Sequence, residues 1–301
     1  MLTTPKPRVF ITNDDGPPSP ESPFLLPFVK ALEATLGWEY YGTRSKQTFF
    51  GSVCIPDSQK SWVSKAFYIQ DSVRCTYYNQ DTNEVEKVKA SGENSSKTWC
   101  LLSGTPATCV NIGLHHIFAK EEFDLVISGP NFGRNSSRAS ALASGTIGAA
   151  LDGCLASKKA IALSFAYFNR DTITEEKVAN ACSMALSVIS HIWNRGWPKG
   201  VELFNINIPL VDEPERPIMV TKLHQNVYRS LFEPVKDAEG EVVYKFAPDL
   251  KWLHDPAKLP EDSDAFAINQ RYISVTPMLA TYKSVDDVTM DFSDLTSLTS
   301  S

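Results

Sequence analysis

The chain has 301 residues, 43% apolar and 21% charged, a balance that excludes a disordered or fibrous protein. At about 150 residues per domain the length allows one large domain or two small ones, and a single α/β unit of this size has ample core to bury. A net charge of −6 excludes a broad basic surface for duplex nucleic acid, leaving small or end-recognised nucleic acids open.

The start, MLTTPKPRVFITNDDG, has no apolar leader core and passes straight into a short buried strand at Val9–Thr12. An uncleaved, cytoplasmic protein is therefore expected. Phe24, Phe28, Leu32 and Leu36 then recur at helical spacing, with Pro23 and Pro27 near the helix start and Gly37 as its C-cap. Ser52–Pro56 reads as a second strand and Phe123–Gly129 as a third. A helix opens at Ser144 in SGTIGAALDGCLASKK, and Ala160–Phe165 is another buried strand. Thr174 caps a further helix, where Glu175 and Glu176 suit its positive end and Val178, Cys182, Ala185, Ile189 and Ile192 form one stripe. LFNINIP is a strand ending at Pro209. Strands alternating with helices, the strands uniformly apolar, predict a parallel sheet covered on both faces.

After Pro209 the pattern changes. SLFEPVKDAEGEVVYKFAP reads as strand, turn and strand around Gly240, and Arg271–Met278 as one more strand. No run approaches the roughly 20 apolar residues of a membrane helix. The six cysteines contain no C-x-x-C pair, so neither zinc nor a thioredoxin motif is signalled.

In open α/β sheets, sites form beyond the carboxyl ends of the strands. Four polar clusters fall there: Asn13-Asp14-Asp15-Gly16, PDSQKSW, SGPNFGRNSS and ASGTIG. Adjacent carboxylates are hard oxygen ligands, suited to Mg²⁺, Mn²⁺ or Ca²⁺, and neutral Ser or Asn oxygens complete such a shell. A helix start of Ser-Gly-Thr offers N–H groups and hydroxyls to an anion. Each cluster alone reads as a turn or a cap. Together they fit phosphoryl chemistry.

FITNDDG, IPDSQKSW, SGTPATCVNIGL, DLVISGPNFGRNSS, SGTIGAALDG, AIALSF, NINIP and RYISVTP stand in the order and rough spacing of the SurE family, and the chain resembles that family over about residues 8–282. The family comprises metal-dependent phosphatases acting on nucleoside 5′- and 3′-monophosphates, some also trimming polyphosphate. The resemblance implies an α/β fold, a Rossmann-like three-layer α/β/α sandwich with a mostly parallel sheet, a C-terminal β-hairpin arm and an exchanged C-terminal segment. It implies a single domain over 1–301: a core of about 8–222, an oligomerisation arm and C-terminal segment of about 223–283, and a disordered tail of about 284–301. Carried over by motif, Asp14 and Asp15 are catalytic and, with Ser61 and Asn131, hold one Mg²⁺ or Mn²⁺. Asn135, Ser144, Gly145 and Thr146 hold the phosphate. The attacking group is Asp14 itself or a water activated in the site. A homodimer or homotetramer through C-terminal exchange is implied, with a small phosphorylated substrate and neither duplex nucleic acid nor membrane as partner.

PDSQKSW and SGPNFGRN look closest to the fungal branch, where a SurE-like domain is fused to a tubulin-tyrosine-ligase-like domain in a P-body-associated protein. No such second domain fits in 301 residues. The branch keeps two alternatives open: a catalytically weak binding or scaffold module, and a general acid phosphatase or polyphosphatase without nucleotide preference.

Three departures from the family pattern stand out. Trp62 replaces the glycine after the metal-binding serine; it stacks on a base, narrows the entrance, or is a packed hinge residue. SSRASALA lacks the acidic residue and tyrosine that bacterial members carry before SGT. Tyr40–Gly51 looks inserted, as a surface loop or a translated intron. Among other polar residues, His115 and His116 read as structural, and His224 is a candidate for reaching a neighbouring site. Asp264 and Arg271 are candidates for ion pairs that lock the C-terminal exchange, and Tyr228 and Trp252 read as packing residues.

Overall fold

Val9 and Ile11 face one way from the first strand and Phe10 the other, and all three are fully buried. The sheet therefore needs cover on both sides. A computed structural model describes residues 6–36, 52–88, 97–228, 230–248 and 259–284. Gly37, the Tyr40–Gly51 segment, Trp252 and the tail beyond residue 284 lie outside them.

The strands are β1 (Val9–Thr12), β2 (Ser52–Pro56), β3 (Cys75–Asn79), β4 (Glu84–Glu86), β5 (Thr98–Leu102), β6 (Leu125–Phe132), β7 (Lys159–Ala166), β8 (Leu203–Pro209), β9 (Ile218–Val220), β10 (Phe232–Lys236), β11 (Val242–Phe246) and β12 (Ile273–Met278). Ten form one sheet in the order β4-β3-β5-β2-β1-β6-β7-β8-β12-β9. Its centre, β5 to β8, is parallel throughout. Antiparallel pairs occur only towards the margins, at β3 with β4 and β5 and at β12 with β8.

Helices α1 (Leu25–Leu36) and α5 (Glu175–Arg195) cover one face, where Phe28, Leu32, Cys182, Ala185 and Ile189 join Val9 and Ile11 in one core. Helices α2 (Pro106–Ile112) and α4 (Gly145–Leu155) cover the other, where Cys109, Val110, Ile147 and Ala149 pack with Phe10. Each large side chain so buried contributes about 1.5–3 kcal/mol. The result is the three-layer, Rossmann-like arrangement with a mostly parallel sheet. The expected caps form: Thr174 accepts from the Lys177 N–H at 3.3 Å and Ser144 from the Ile147 N–H at 3.0 Å.

The chain runs from β1 outward to β2 and β5, then returns to the other side of β1 as β6. The crevice between β1 and β6 is thus the switch point where ligands bind in such sheets. The third strand is longer than the sequence suggests, reaching Phe132 through an irregularity between Ser128 and Asn131, where the Gly129–Pro130 peptide is cis. The last strand is shorter, beginning at Ile273, because Arg271 sits at φ +59°.

The β10–β11 hairpin is antiparallel, turns at Gly240 with φ +86°, and packs Phe246 against Trp62 at 5.0 Å between ring centroids. Two short helices, α3 (Arg138–Ala143) and α6 (Asp264–Asn269), also occur among the described residues. The ion-pair reading of Asp264 is corrected here. Its buried carboxylate instead accepts from the backbone N–H groups of Ser137 at 2.8 Å, His224 at 2.9 Å and Ala265 at 2.8 Å. Arg271 lies over the Phe168 ring, 4.9 Å from its centroid, and pairs with no carboxylate among the described residues.

Asp264 thus ties the start of α3 to the segment leading into the hairpin. Replacing it by alanine leaves buried N–H groups without an acceptor, and a loss of roughly 2–4 kcal/mol is expected. Urea unfolding of Asp264→Ala beside the parent chain measures it.

Candidate active site

Strand β1 ends at Thr12, and the next three side chains do different work. Asn13 closes the turn, its Nδ2 donating to the Gly16 carbonyl at 2.9 Å and its Oδ1 accepting from the Gly16 N–H at 3.2 Å. Gly16, at φ +83°, has the left-handed conformation that favours glycine. The turn fixes Asp14 and Asp15, both buried at 2% and 4% exposure.

Asp14 Oδ1 accepts from the Thr146 hydroxyl at 2.7 Å. That hydroxyl in turn accepts from Asn135 Nδ2 at 3.1 Å, which also reaches Ser164 at 3.0 Å. Asn207 Oδ1 accepts the Asn135 N–H at 2.8 Å, and Asn205 Nδ2 donates to the Asn135 carbonyl at 2.7 Å. A polar layer from β7 and β8 therefore props Asn135, Thr146 and Asp14 in series. Asp15 Oδ2 accepts from the Phe132 N–H at 2.6 Å.

Helix α4 approaches so closely that a Cβ on Gly145 would lie 2.8 Å from Asp14 Cβ and from the Lys60 carbonyl oxygen. The Lys60 N–H meanwhile donates to the Asp14 carbonyl at 2.7 Å, and Lys65 pairs with Asp152 of α4 at 2.9 Å. The loop after β2 is thereby clamped between β1 and α4, which places Ser61.

Burial drives Asp14 up to about 6, partly opposed by the Thr146 hydroxyl and by the amides of Thr146 and Gly145 at the helix start. Asp15 is pushed well above the usual carboxylate range, by burial first and by the neighbouring Asp14 charge second. Among the described residues neither carboxylate has a cationic side chain within ion-pair distance. Two adjacent buried carboxylates of like charge, with only neutral donors around them, fit a divalent cation. Ser61 and Asn131, which line the same cavity as Asp14, offer neutral oxygens that could complete a hard-cation shell.

Asp14, Ser61, Asn131, Asn135 and Ser144 line one cavity of about 360 Å³. Asp15, Gly145 and Thr146 lie behind that lining and act on it through Phe132 and Asp14. Trp62, at φ +64°, forms part of the wall. Phe132, Arg134, Tyr167 and Phe168 also line the cavity, and sequence reasoning did not select them. Tyr167 and Phe168 follow directly on β7, so the rule that chose the other clusters applies to them. His115 and His116 are exposed and, like His224, do not line the cavity. None of the described helices is long and apolar enough to cross a membrane.

A family model described as survival protein SurE matches residues 9–230. A Saccharomyces cerevisiae protein named probable tubulin–tyrosine ligase PBY1 is 31% identical over 93% of this chain, and the match spans 42% of the yeast protein. A protein named 5′-nucleotidase SurE from Archaeoglobus fulgidus is 31% identical, covering 90% of each. The crystal structure of Sure protein from Aquifex aeolicus superposes with a TM-score of 0.66 at 23% identity, covering 92% of this chain and 95% of that one. This last likeness bears on the fold.

Without a cation the raised carboxylates favour the folded state most below their unfolded values. That contribution is lost as pH rises through about 6 for Asp14, and the raised Asp15 acts in the same direction. A divalent cation competes with those protons, so its stabilising effect runs opposite in pH. The increase in Tm on adding Mn²⁺ is expected to grow from about pH 5 to about pH 8. Thermal unfolding with Mn²⁺ or EDTA at both pH values checks this, and an increase of equal size at both would contradict it.

Proposed function

The chain belongs to the SurE family, and on that premise we propose that it is a metal-dependent phosphomonoesterase acting on nucleoside 5′- or 3′-monophosphates or similar small phosphate monoesters. The observation that carries the reading is the buried Asp14–Asp15 pair, with Asp14, Ser61 and Asn131 lining one cavity that also reaches the start of α4 and Asp15 directly behind that lining. Those four residues would hold one Mg²⁺ or Mn²⁺. When bound there, the cation supplies polarisation of a phosphoryl oxygen and offsets charge in the transition state.

The protein's own groups do the rest. Thr146 and the first amides of α4 keep Asp14 ionised and aimed. Asn135, Ser144, Gly145 and Thr146 form the phosphate end of the site, with Asn135 braced by Asn205 and Asn207. Phe132, Tyr167, Phe168 and Trp62 give apolar wall to the organic half of the substrate and limit water. Aromatic walls suit a nucleobase, and relatives named 5′-nucleotidase support that class. The attack on phosphorus comes from Asp14 or from water, and trapping of an aspartyl phosphate distinguishes the two. Assembly into a homodimer or homotetramer belongs to the same reading. Its support is the exposed Phe232, Val242 and Tyr244 of the hairpin, apolar surface that a second copy would cover.

The test is one panel: p-nitrophenyl phosphate, 5′- and 3′-mononucleotides and polyphosphate, each with Mg²⁺, Mn²⁺ or EDTA. Turnover of monoesters that EDTA abolishes is expected, fastest on mononucleotides. Asp14→Asn should lose turnover by at least about 1,000-fold while unfolding cooperatively. Full activity in that variant, or none in the parent with either metal, would refute the reading.

A further inference from the structure

The SGPNFGRN stretch contributes one residue whose role is still unassigned. Arg134 follows Gly133, and its side chain lines the cavity with Asp14, Ser61, Asn131 and Ser144. Among the described residues lining that cavity it is the single cation.

The other arginines nearby are committed elsewhere. Arg170 lies over the Phe132 ring at 4.7 Å and Arg271 over the Phe168 ring at 4.9 Å, so both brace the aromatic walls. Arg8 pairs with Glu122 and Asp124, and Arg138 donates to the Asn226 carbonyl at 2.9 Å. Arg134 has no hydrogen bond, ion pair or ring stacking recorded among the described residues. Its side chain is half-buried, which pulls the guanidinium below its ordinary value, and the titratable group facing it is the Tyr167 phenol. A desolvated guanidinium has five N–H donors to satisfy, and leaving them unmade is unfavourable. An anion that fits the cavity and arrives from solution is the partner best matched to it.

We infer that Arg134 contacts the substrate directly, its guanidinium taking two oxygens of the monoester phosphate in a forked, charge-assisted contact. The inference rests on the phosphatase reading and adds to it. The aspartate pair with its cation serves one part of the phosphate, and Arg134 serves oxygens left over. It also gives the cavity a reason to attract dianions although the chain is acidic overall. A planar fork at this position also favours a terminal phosphate, with its three free oxygens, over a diester.

The experiment uses the full chain with Mn²⁺ and compares the parent with Arg134→Ala and Arg134→Lys. Calorimetric titration with inorganic phosphate should show binding weakened by about tenfold or more in Arg134→Ala. Its kcat/KM on a monoester should fall on the order of 100-fold. Guanidinium chloride at low concentration should restore part of that turnover. Arg134→Lys should recover less than the parent, since a point charge lacks the fork. Without phosphate, Arg134→Ala should unfold at the parent temperature or above it, because an unsatisfied half-buried charge has been removed. A lower unfolding temperature together with failure of guanidinium rescue would make the residue structural and overturn the inference. Equal phosphate affinity and kcat/KM in parent and Arg134→Ala would overturn it while leaving the phosphatase reading standing. A parent that neither binds phosphate nor hydrolyses any monoester would remove both.

Discussion

Two carboxylates side by side, out of water and without a cationic side chain beside them among the described residues, are the constraint around which the structure is built. Such a pair costs several kcal/mol unless something of opposite charge or dipole faces it. The fold responds from three directions. The helix α4 start brings the Gly145 and Thr146 amides and the Thr146 hydroxyl to Asp14, and strand β6 brings the Phe132 N–H to Asp15. The loop after β2 is tied to Asp14 through Lys60 and to α4 through Lys65 and Asp152. These contacts constrain one another. Gly145 must be glycine so that α4 can come near enough, and a Cβ on Gly148 would lie 2.3 Å from the Ser64 carbonyl oxygen. The close packing of α4 on the loop is thus part of the electrostatics.

The same arrangement separates the polar floor of the cavity from its aromatic sides. The floor comes from strand ends and is braced by Ser164 on β7 and by the buried Asn205 and Asn207 on β8. The sides come from residues just past β6 and β7, held by cations stacked on Phe132 and Phe168. Trp62 joins the two, following Ser61 in sequence and touching Phe246 of the hairpin in space. The cavity wall and the folding back of the hairpin therefore meet at one residue, and Trp62 has a left-handed backbone conformation there. A glycine there would adopt that conformation freely but would give the hairpin nothing to pack on.

The central layers were readable from the sequence because buried parallel strands are continuous apolar runs and long amphipathic helices keep their period. β1, β2 and β8 have the predicted bounds, and α5 carries the predicted stripe. The meander of β3 and β4 was not readable, since CTYYN and EVE are mostly solvent-facing and lack an apolar signature. Short helices such as α3 and α6 depend on tertiary contacts, among them the Asp264 carboxylate at the start of each, more than on propensity. Within the site, the clusters that hold Asp14, Ser61, Asn131 and Ser144 stood out at strand ends or a helix cap, and the resemblance to the SurE family singled out Ser61 and Asn131 within them. Arg134 did not, because an arginine in a polar loop carries no signal of its own, and only the cavity places its side chain in the site.

The buried pair also weighs against reading the domain as an inert scaffold that has kept only its shape. A fold that no longer needed an ion would gain from a neutral residue at position 14 or 15, since either change removes the repulsion that raises Asp15. This chain instead keeps both carboxylates, the two neutral oxygens facing them and the glycine that lets α4 approach, each of which restricts packing without adding to the core. The similarity to the longer yeast protein does not alter that balance, because binding a partner through an outer surface would place no demand on Asp14 or Asp15. Their burial is what the proposed site would account for, with a cation and a phosphate meeting at the end of β1.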